Sequence, residues 1–370
     1  MKKSIFILLI INMFVLFSCT KQNVSENHPL INDTLKINFK KNYLTLFPPM
    51  VFDATSAQIV SQIYDGLVKY NPKNLKIEPA IAKSWHKKND TVYIFKIRQD
   101  VYFGKYDKVF GNSPEKLTMK DILFTFQYLC TNMPSNKNFY SSMWKIAGAS
   151  EYYKNHASLS KGFDISGIKA LNDSTLQITV TDKDFPLLKI LANPSSSIFS
   201  RKAYKKLKEK CYVGAGAYQI ANVKDIRLGT NINDELPDLF LRYNPYYYGK
   251  DKDGNTLPYI AYVKISFMKY EKKELDWLGA GKLDMVFNVK NDNVIYFLDK
   301  YIKEVNSKNP KFILQKPCSD IDDFVNIYKS RIKNFYSNDL FYIDLSVVKI
   351  DRTGKSKNEE VKNKVNNKAL

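Results

Sequence analysis

Segments with a period of two and segments with a period near 3.6 alternate along this chain. That mixture constrains the fold more than any single motif. Val92 to Arg98 places Tyr93, Phe95 and Ile97 on one side, the pattern of a strand with one buried face. Leu35 to Phe39 does the same with Leu35, Ile37 and Phe39, and Thr175 to Val180 with Leu176, Ile178 and Val180. Helical stripes lie between them. Thr55 opens one, with Gln58 at capping-box spacing, Ile59, Ile63 and Leu67 as its apolar stripe, and Gly66 near its end. Thr118 caps another, with Asp121 in the first turn and Ile122, Phe126 and Leu129 on the buried side. Pro48-Pro49 and the loop from Gly104 to Pro114 punctuate the chain. Tyr259 to Met268 reads as a strand and Glu271 to Leu278 as a helix. Such interleaving belongs to a mixed α/β (α+β) fold. With 44% hydrophobic residues among 370, a large core can form. No internal repeat is visible.

The amino terminus has a different logic. Lys2 and Lys3 precede an apolar run from Ile5 to Phe17, broken only by Asn12. The run is shorter than the roughly 20 residues a membrane span needs and suits a signal-peptide core. It ends in Leu16-Phe17-Ser18-Cys19, which resembles the lipobox of bacterial lipoproteins, although Phe17 is unusual at its place. The resemblance implies a signal peptide over residues 1–18, lipid on Cys19, and a lipidated tether over 19–34. The protein would then sit in the cell envelope, anchored in a membrane and facing the periplasm or the exterior. An ordinary cleaved signal with an incidental cysteine is the other reading. Losing residues 1–18 removes two lysines and no acids, leaving a net charge of 20 − 2 = +18.

The formal charge of +20 invites a nucleic-acid reading, but only six of the 57 basic residues are arginine. Nucleic-acid readers depend on arginine for bidentate contacts, and no recognised binding motif accompanies the charge. No nucleic-acid partner is expected. Once Cys19 is used, Cys130, Cys211 and Cys318 remain, an odd number without metal-ligand spacing, and His28, His86 and His156 stand alone. Neither a metal site nor a Cys/His nucleophile is expected. G-x-S-x-G, H-E-x-x-H and phosphate-binding glycine loops are absent, so the chain does not read as an enzyme, and it implies no cofactor.

Seven short motifs follow in order. They are Tyr64-Asp65-Gly66-Leu67; Pro79-Ala80-Ile81-Ala82-Lys83-Ser84-Trp85; the run from Tyr93 to Phe103; Leu117-Thr118-Met119-Lys120-Asp121-Ile122; Val213-Gly214-Ala215-Gly216-Ala217-Tyr218; Leu241 to Gly249, containing Arg242 and Asn244-Pro245; and Gly281-Lys282-Leu283-Asp284. Each is weak alone. Together they resemble the family 5 solute-binding proteins, the oligopeptide and dipeptide receptors of ABC importers, over about residues 35 to 290. Trp85 and the Tyr93/Phe95/Ile97 face are core candidates, and Gly214 and Gly216 suit a turn of positive φ.

The resemblance implies type II periplasmic-binding-protein lobes with the second lobe incomplete. Residues 35–258 would form the first lobe and 259–325 a partial second lobe. Residues 326–350 would return to the first lobe, and the polar stretch 351–370 reads as a disordered tail. Two readings of the missing part stay open: an internal stretch absent between about Lys311 and Ile327, or a naturally small second lobe. The implied function is that of a substrate-binding lipoprotein, a monomer that captures oligopeptides and delivers them to an ABC permease in the membrane. The alternative is a truncated remnant that no longer transports and acts only as a lipid-anchored surface protein. The implied ligand contacts are Leu46 and Phe47, after the first strand, and Tyr140, after the Thr118 helix. For Tyr140 a plain surface aromatic is the competing reading.

Overall fold

The computed structural model describes residues 34–287, apart from residues 73, 160, 161, 163, 223–225 and 230–235. The expected signal peptide, Cys19 and its tether, the stretch 311–327, the returning segment 326–350 and the tail 351–370 lie outside the described residues. So do Cys318 and the part of the expected second lobe after residue 287.

The chain opens with strand β1 (Thr34–Phe39) and helix α1 (Ala54–Ile63). A small hairpin follows, β2 (Val68–Tyr70) against β3 (Ile77–Pro79). Strands β4 (Ala82–Lys87) and β5 (Val92–Ile97) then join β6 (Ile168–Asn172) and β7 (Thr175–Thr179) in an antiparallel sheet of order β4-β5-β7-β6. Four helices lie between β5 and β6: α2 (Asp107–Phe110), α3 (Met119–Leu129), α4 (Phe139–Ser142) and α5 (Ala149–Asn155). After α6 (Leu187–Leu191) and α7 (Arg201–Leu207) come β8 (Tyr218–Ile220), β9 (Leu239–Tyr243) and β10 (Tyr262–Phe267). Helix α8 (Glu271–Gly279) is the last described element.

The second sheet has the order β1-β10-β9-β8. β1 runs parallel to β10, with Leu35 opposite Val263 and Ile37 opposite Ile265, and all four side chains are buried. On its other side β1 makes a parallel bridge from Ile37 to Met285. β1 and its neighbours in the sheet are therefore more than 200 residues apart in sequence. The expected start of a second lobe at Tyr259 lies in the connection between β9 and β10, and β10 then pairs with both β1 and β9. The sheet does not break there.

Local chemistry explains the helix starts. Asp121 accepts hydrogen bonds from Thr118 N at 3.0 Å and Thr118 Oγ1 at 2.7 Å, as the sequence implies for α3. Its second oxygen accepts from Arg201 N at 3.0 Å, tying α3 to the start of α7. In α1 the cap is Asp53 rather than Thr55: its carboxylate accepts from Ser56 N at 2.8 Å. An aspartate caps better than a threonine, and Thr55 is buried inside the first turn. Leu67 belongs to the core but lies beyond the helix, which ends at Ile63. Trp85 is half-buried opposite Phe95, whereas Tyr93, Phe95 and Ile97 are core as expected.

Candidate functional site

The motifs converge in space. Tyr64 Oη donates to Cys211 O at 3.0 Å, and Tyr248 Oη donates to Asp65 Oδ2 at 2.7 Å across 183 residues of sequence. The Arg98 guanidinium lies 5.0 Å from the centre of the Tyr248 ring, and its Nε donates to Ala80 O at 2.8 Å. Asn244 Nδ2 donates to Gly216 O at 3.0 Å. Burial, with Asp65 beside it, pushes the Tyr248 hydroxyl well above its usual range, so this phenol stays a donor.

Gly214 and Gly216 serve this junction differently from the sequence expectation. Neither has a positive φ. A Cβ on Gly214 would stand 2.2 Å from Ile63 O, and one on Gly216 2.6 Å from Gln62 O. The glycines let the loop lie directly on the end of α1. Beside the junction is a cavity of about 60 Å³ between Gln62, Asp65, Tyr70, Pro194 and Tyr247. Ligand pockets run to roughly 300–1,000 Å³, so this one holds water at most. The motif cluster is architecture.

The residues expected to touch ligand lie elsewhere, and the structure brings their two segments together. Asn138 Nδ2 donates to Pro49 O at 2.9 Å and Val51 O at 3.0 Å, and Lys137 N donates to Pro49 O at 3.1 Å. Asn138 is buried, so these bonds fix the loop after β1 against the start of α4. The side chains divide sharply. Leu46 and Phe47 are each 0% exposed. Phe47 packs edge-on to Phe199 at 4.9 Å and to Tyr128 at 5.4 Å, and stacks on Tyr204 at 5.9 Å. Tyr140 is 71% exposed and rests on Phe139 and Tyr153 at 5.1 and 5.4 Å. Phe52, at the other side of the junction, is 67% exposed. The sequence reading missed Phe52. Its signal was an apolar residue that neither the strand nor the helix stripe claims.

Two carboxylates are held in contrasting surroundings, one beside the aromatic cluster under Phe47 and one at the end of β1. Glu209 Oε1 accepts from Tyr128 Oη at 3.2 Å, Ser135 Oγ at 3.1 Å and Tyr204 Oη at 3.2 Å. Burial pushes its carboxyl up. Hydrogen bonds from its own backbone, Ser135, Tyr204 and Tyr128 outweigh that and hold it below the usual 4.5. Lys208, just before it, has φ +54°. Glu274 on α8 is 0% exposed. It accepts from Asn38 Nδ2 at 2.9 Å and lies 3.7 Å from Lys40 Nζ, while Lys40 also pairs with Glu271 at 2.9 Å. Burial raises its carboxyl above 4.5 despite Asn38 and Lys40. Asn38 also exchanges two bonds with the backbone of Met268, and Asp284 two with that of Lys36. β1 and Lys40 just after it are thus clasped to Met268, α8 and Asp284.

Among the described residues no group of His, Cys, Asp and Glu could hold a metal ion. Cys130 and Cys211 are buried thiols, raised by burial. No described helix is long and apolar enough to cross a membrane.

The model of the bacterial extracellular solute-binding proteins, family 5 Middle, matches residues 76–315. The chain belongs to this family. It is 26% identical over 298 residues to the oligopeptide-binding protein OppA of Bacillus subtilis, covering 75% of this chain and 50% of that one. It is 26% identical over 196 residues to the peptide transport periplasmic protein SapA of Salmonella typhimurium, covering 50% of this chain and 33% of the relative. Among solved structures, Haemophilus influenzae OppA in complex with RPPGFSPFR matches with a TM-score of 0.56 at 21% identity, over 74% of this chain and 49% of that one. The fold is therefore that of OppA-like type II binding proteins. The chain spans a third to a half of the length of these curated relatives.

Proposed function

We propose that this chain is the substrate-binding component of an ABC-type peptide import system and that it captures oligopeptides for a membrane permease, without catalysing a reaction. The observation that carries this reading is the junction after β1. There, buried Asn138 locks two segments together and leaves Tyr140 and Phe52 exposed beside each other's anchors. Exposed aromatics on a rigid base offer a large contact area at little entropic cost. Family membership supports the binding role, and the names of the relatives favour peptides.

In this reading Tyr140 and Phe52 contact ligand from the first lobe, while Leu46 and Phe47 shape the surface from beneath. The described residues to 287, β10 included, act as that lobe. Cys19 carries the lipid that holds the protein, a monomer, to its membrane. A second reading is a remnant that no longer transports. Receptors of this kind work by closing two lobes over the ligand, and in this second reading that closure no longer captures a peptide.

Calorimetric titration with a pool of tri- to pentapeptides separates the two. Saturable binding with a negative heat-capacity change supports the receptor. A cooperatively folded protein that gives no heat supports the remnant.

A further inference from the structure

The surplus positive charge is not spread evenly. Residues 201–210 hold Arg201, Lys202, Lys205, Lys206, Lys208 and Lys210 against a single acid, Glu209. That surplus of five in ten residues is a quarter of the +20 carried by all 370. The structure folds this stretch into α7 and the turn that follows it. Ala203 and Tyr204 face the core, while all five lysines are exposed. Lys202 is 2.9 Å from Glu115, Lys206 donates to Val109 O at 3.2 Å, and Lys208 lies over the Tyr204 ring. Exposed Lys105, just before the neighbouring α2, and Lys108, within it, add two more cations, with Asp107 between them. The one internal acid, Glu209, is turned to the hydroxyls of Tyr128, Ser135 and Tyr204. It therefore does little to neutralise the outer face.

We infer that the α7 face is a docking surface for anionic phospholipid headgroups. Its chemistry separates it from a protein interface. Protein interfaces gather aromatics and arginine at their centre and are depleted in lysine. Here five of six cations are lysine, and no exposed large apolar side chain falls between Arg201 and Lys210. Compact, flexible ammonium groups suit a diffuse layer of negative charge, which demands no fixed geometry. The surface strengthens membrane association by about five-fold per near-surface cation and acts within a Debye length of roughly 10 Å. It would hold α7 toward the bilayer and give the receptor a preferred orientation. This inference stands whether or not peptide is bound.

The test is co-sedimentation of the full chain with vesicles of phosphatidylcholine alone and of phosphatidylcholine with phosphatidylglycerol. Any apolar contribution from the amino terminus acts on both kinds, so the difference between them is the readout. The variant is K205E/K206E/K208E/K210E. Its control, K83E/K88E/K169E/K252E, makes the same change of charge at exposed sites elsewhere. A K205Q/K206Q/K208Q/K210Q variant serves if the first unfolds. The expected result is binding selective for anionic vesicles, lost in 0.5 M salt, weakened about a hundred-fold or more by the α7 reversal and only a few-fold by the control. Equal loss in both variants overturns the inference, as does a wild-type chain without preference for anionic vesicles. Wild-type capture of polyglutamate without capture of vesicles overturns it in favour of an acidic protein partner.

Discussion

Phe47 and Tyr140 entered as equals, two aromatics expected to touch the ligand. The structure separates them completely. Phe47 is fully buried among Tyr128, Phe199 and Tyr204, and Tyr140 stands 71% exposed on the same hydrogen-bonded junction. The difference teaches that this junction has two layers with different physics. The lower layer is fixed by packing and tolerates no loss of volume. The upper layer is nearly free of structural duty and can be spent on contact. Substitutions in the two layers should therefore fall on different measurements.

The largest effect belongs to the lower layer. Phe47→Ala should cost about 3–5 kcal/mol in denaturant unfolding, from lost transfer energy and the cavity left behind. If it costs less than about 1 kcal/mol, the site can collapse and the two-layer picture fails. Next comes Gly214→Ala, whose methyl would strike Ile63 O. It should destabilise by about 1–3 kcal/mol through forced backbone movement, read as a lower denaturant midpoint at unchanged slope.

Glu209 and Glu274 sharpen the comparison, with opposite signs. Glu209 is held below 4.5, so the folded state prefers its charge. Its contribution is present above 4.5 and lost as pH falls through the folded value. Glu274 is raised above 4.5, so the folded state prefers its proton. Its contribution is present below 4.5 and lost as pH rises through the folded value. Glu274→Gln should therefore stabilise the protein at neutral pH by about 1 kcal/mol or less and leave it unchanged in acid. Glu209→Gln should weaken it at neutral pH and flatten its loss in acid. Thermal unfolding from pH 3 to pH 8 reads both. If both variants shift stability with the same pH dependence, the contrast is wrong. The smallest effect on stability is that of Tyr140→Ala, expected within about 0.5 kcal/mol.

Much of this was legible in the sequence where a short-range rule applies. Alternation located β1, β5 and β7, and Thr118 with Asp121 located the start of α3. The order of the motifs located the family. Long-range features were not legible. Nothing local in Val213 to Tyr218 says that its glycines meet the end of α1. Only the folded junction reveals that they serve close approach rather than positive φ. Likewise Phe47 and Phe52 are alike as residue types, and only tertiary packing buries one and exposes the other. The pairing of β10 with β1 is of the same kind. A strand at residue 262 was readable, but its neighbour in the sheet was not.

The most direct measurement is a peptide titration of Tyr140→Ala/Phe52→Ala beside the wild-type chain, with unfolding followed on both. The expected result is saturable wild-type binding and an affinity about ten-fold lower or worse in the variant, at stability unchanged within about 0.5 kcal/mol. Equal affinity in the two proteins would contradict it. The exposed aromatics would then be surface only, and the ligand would lie elsewhere.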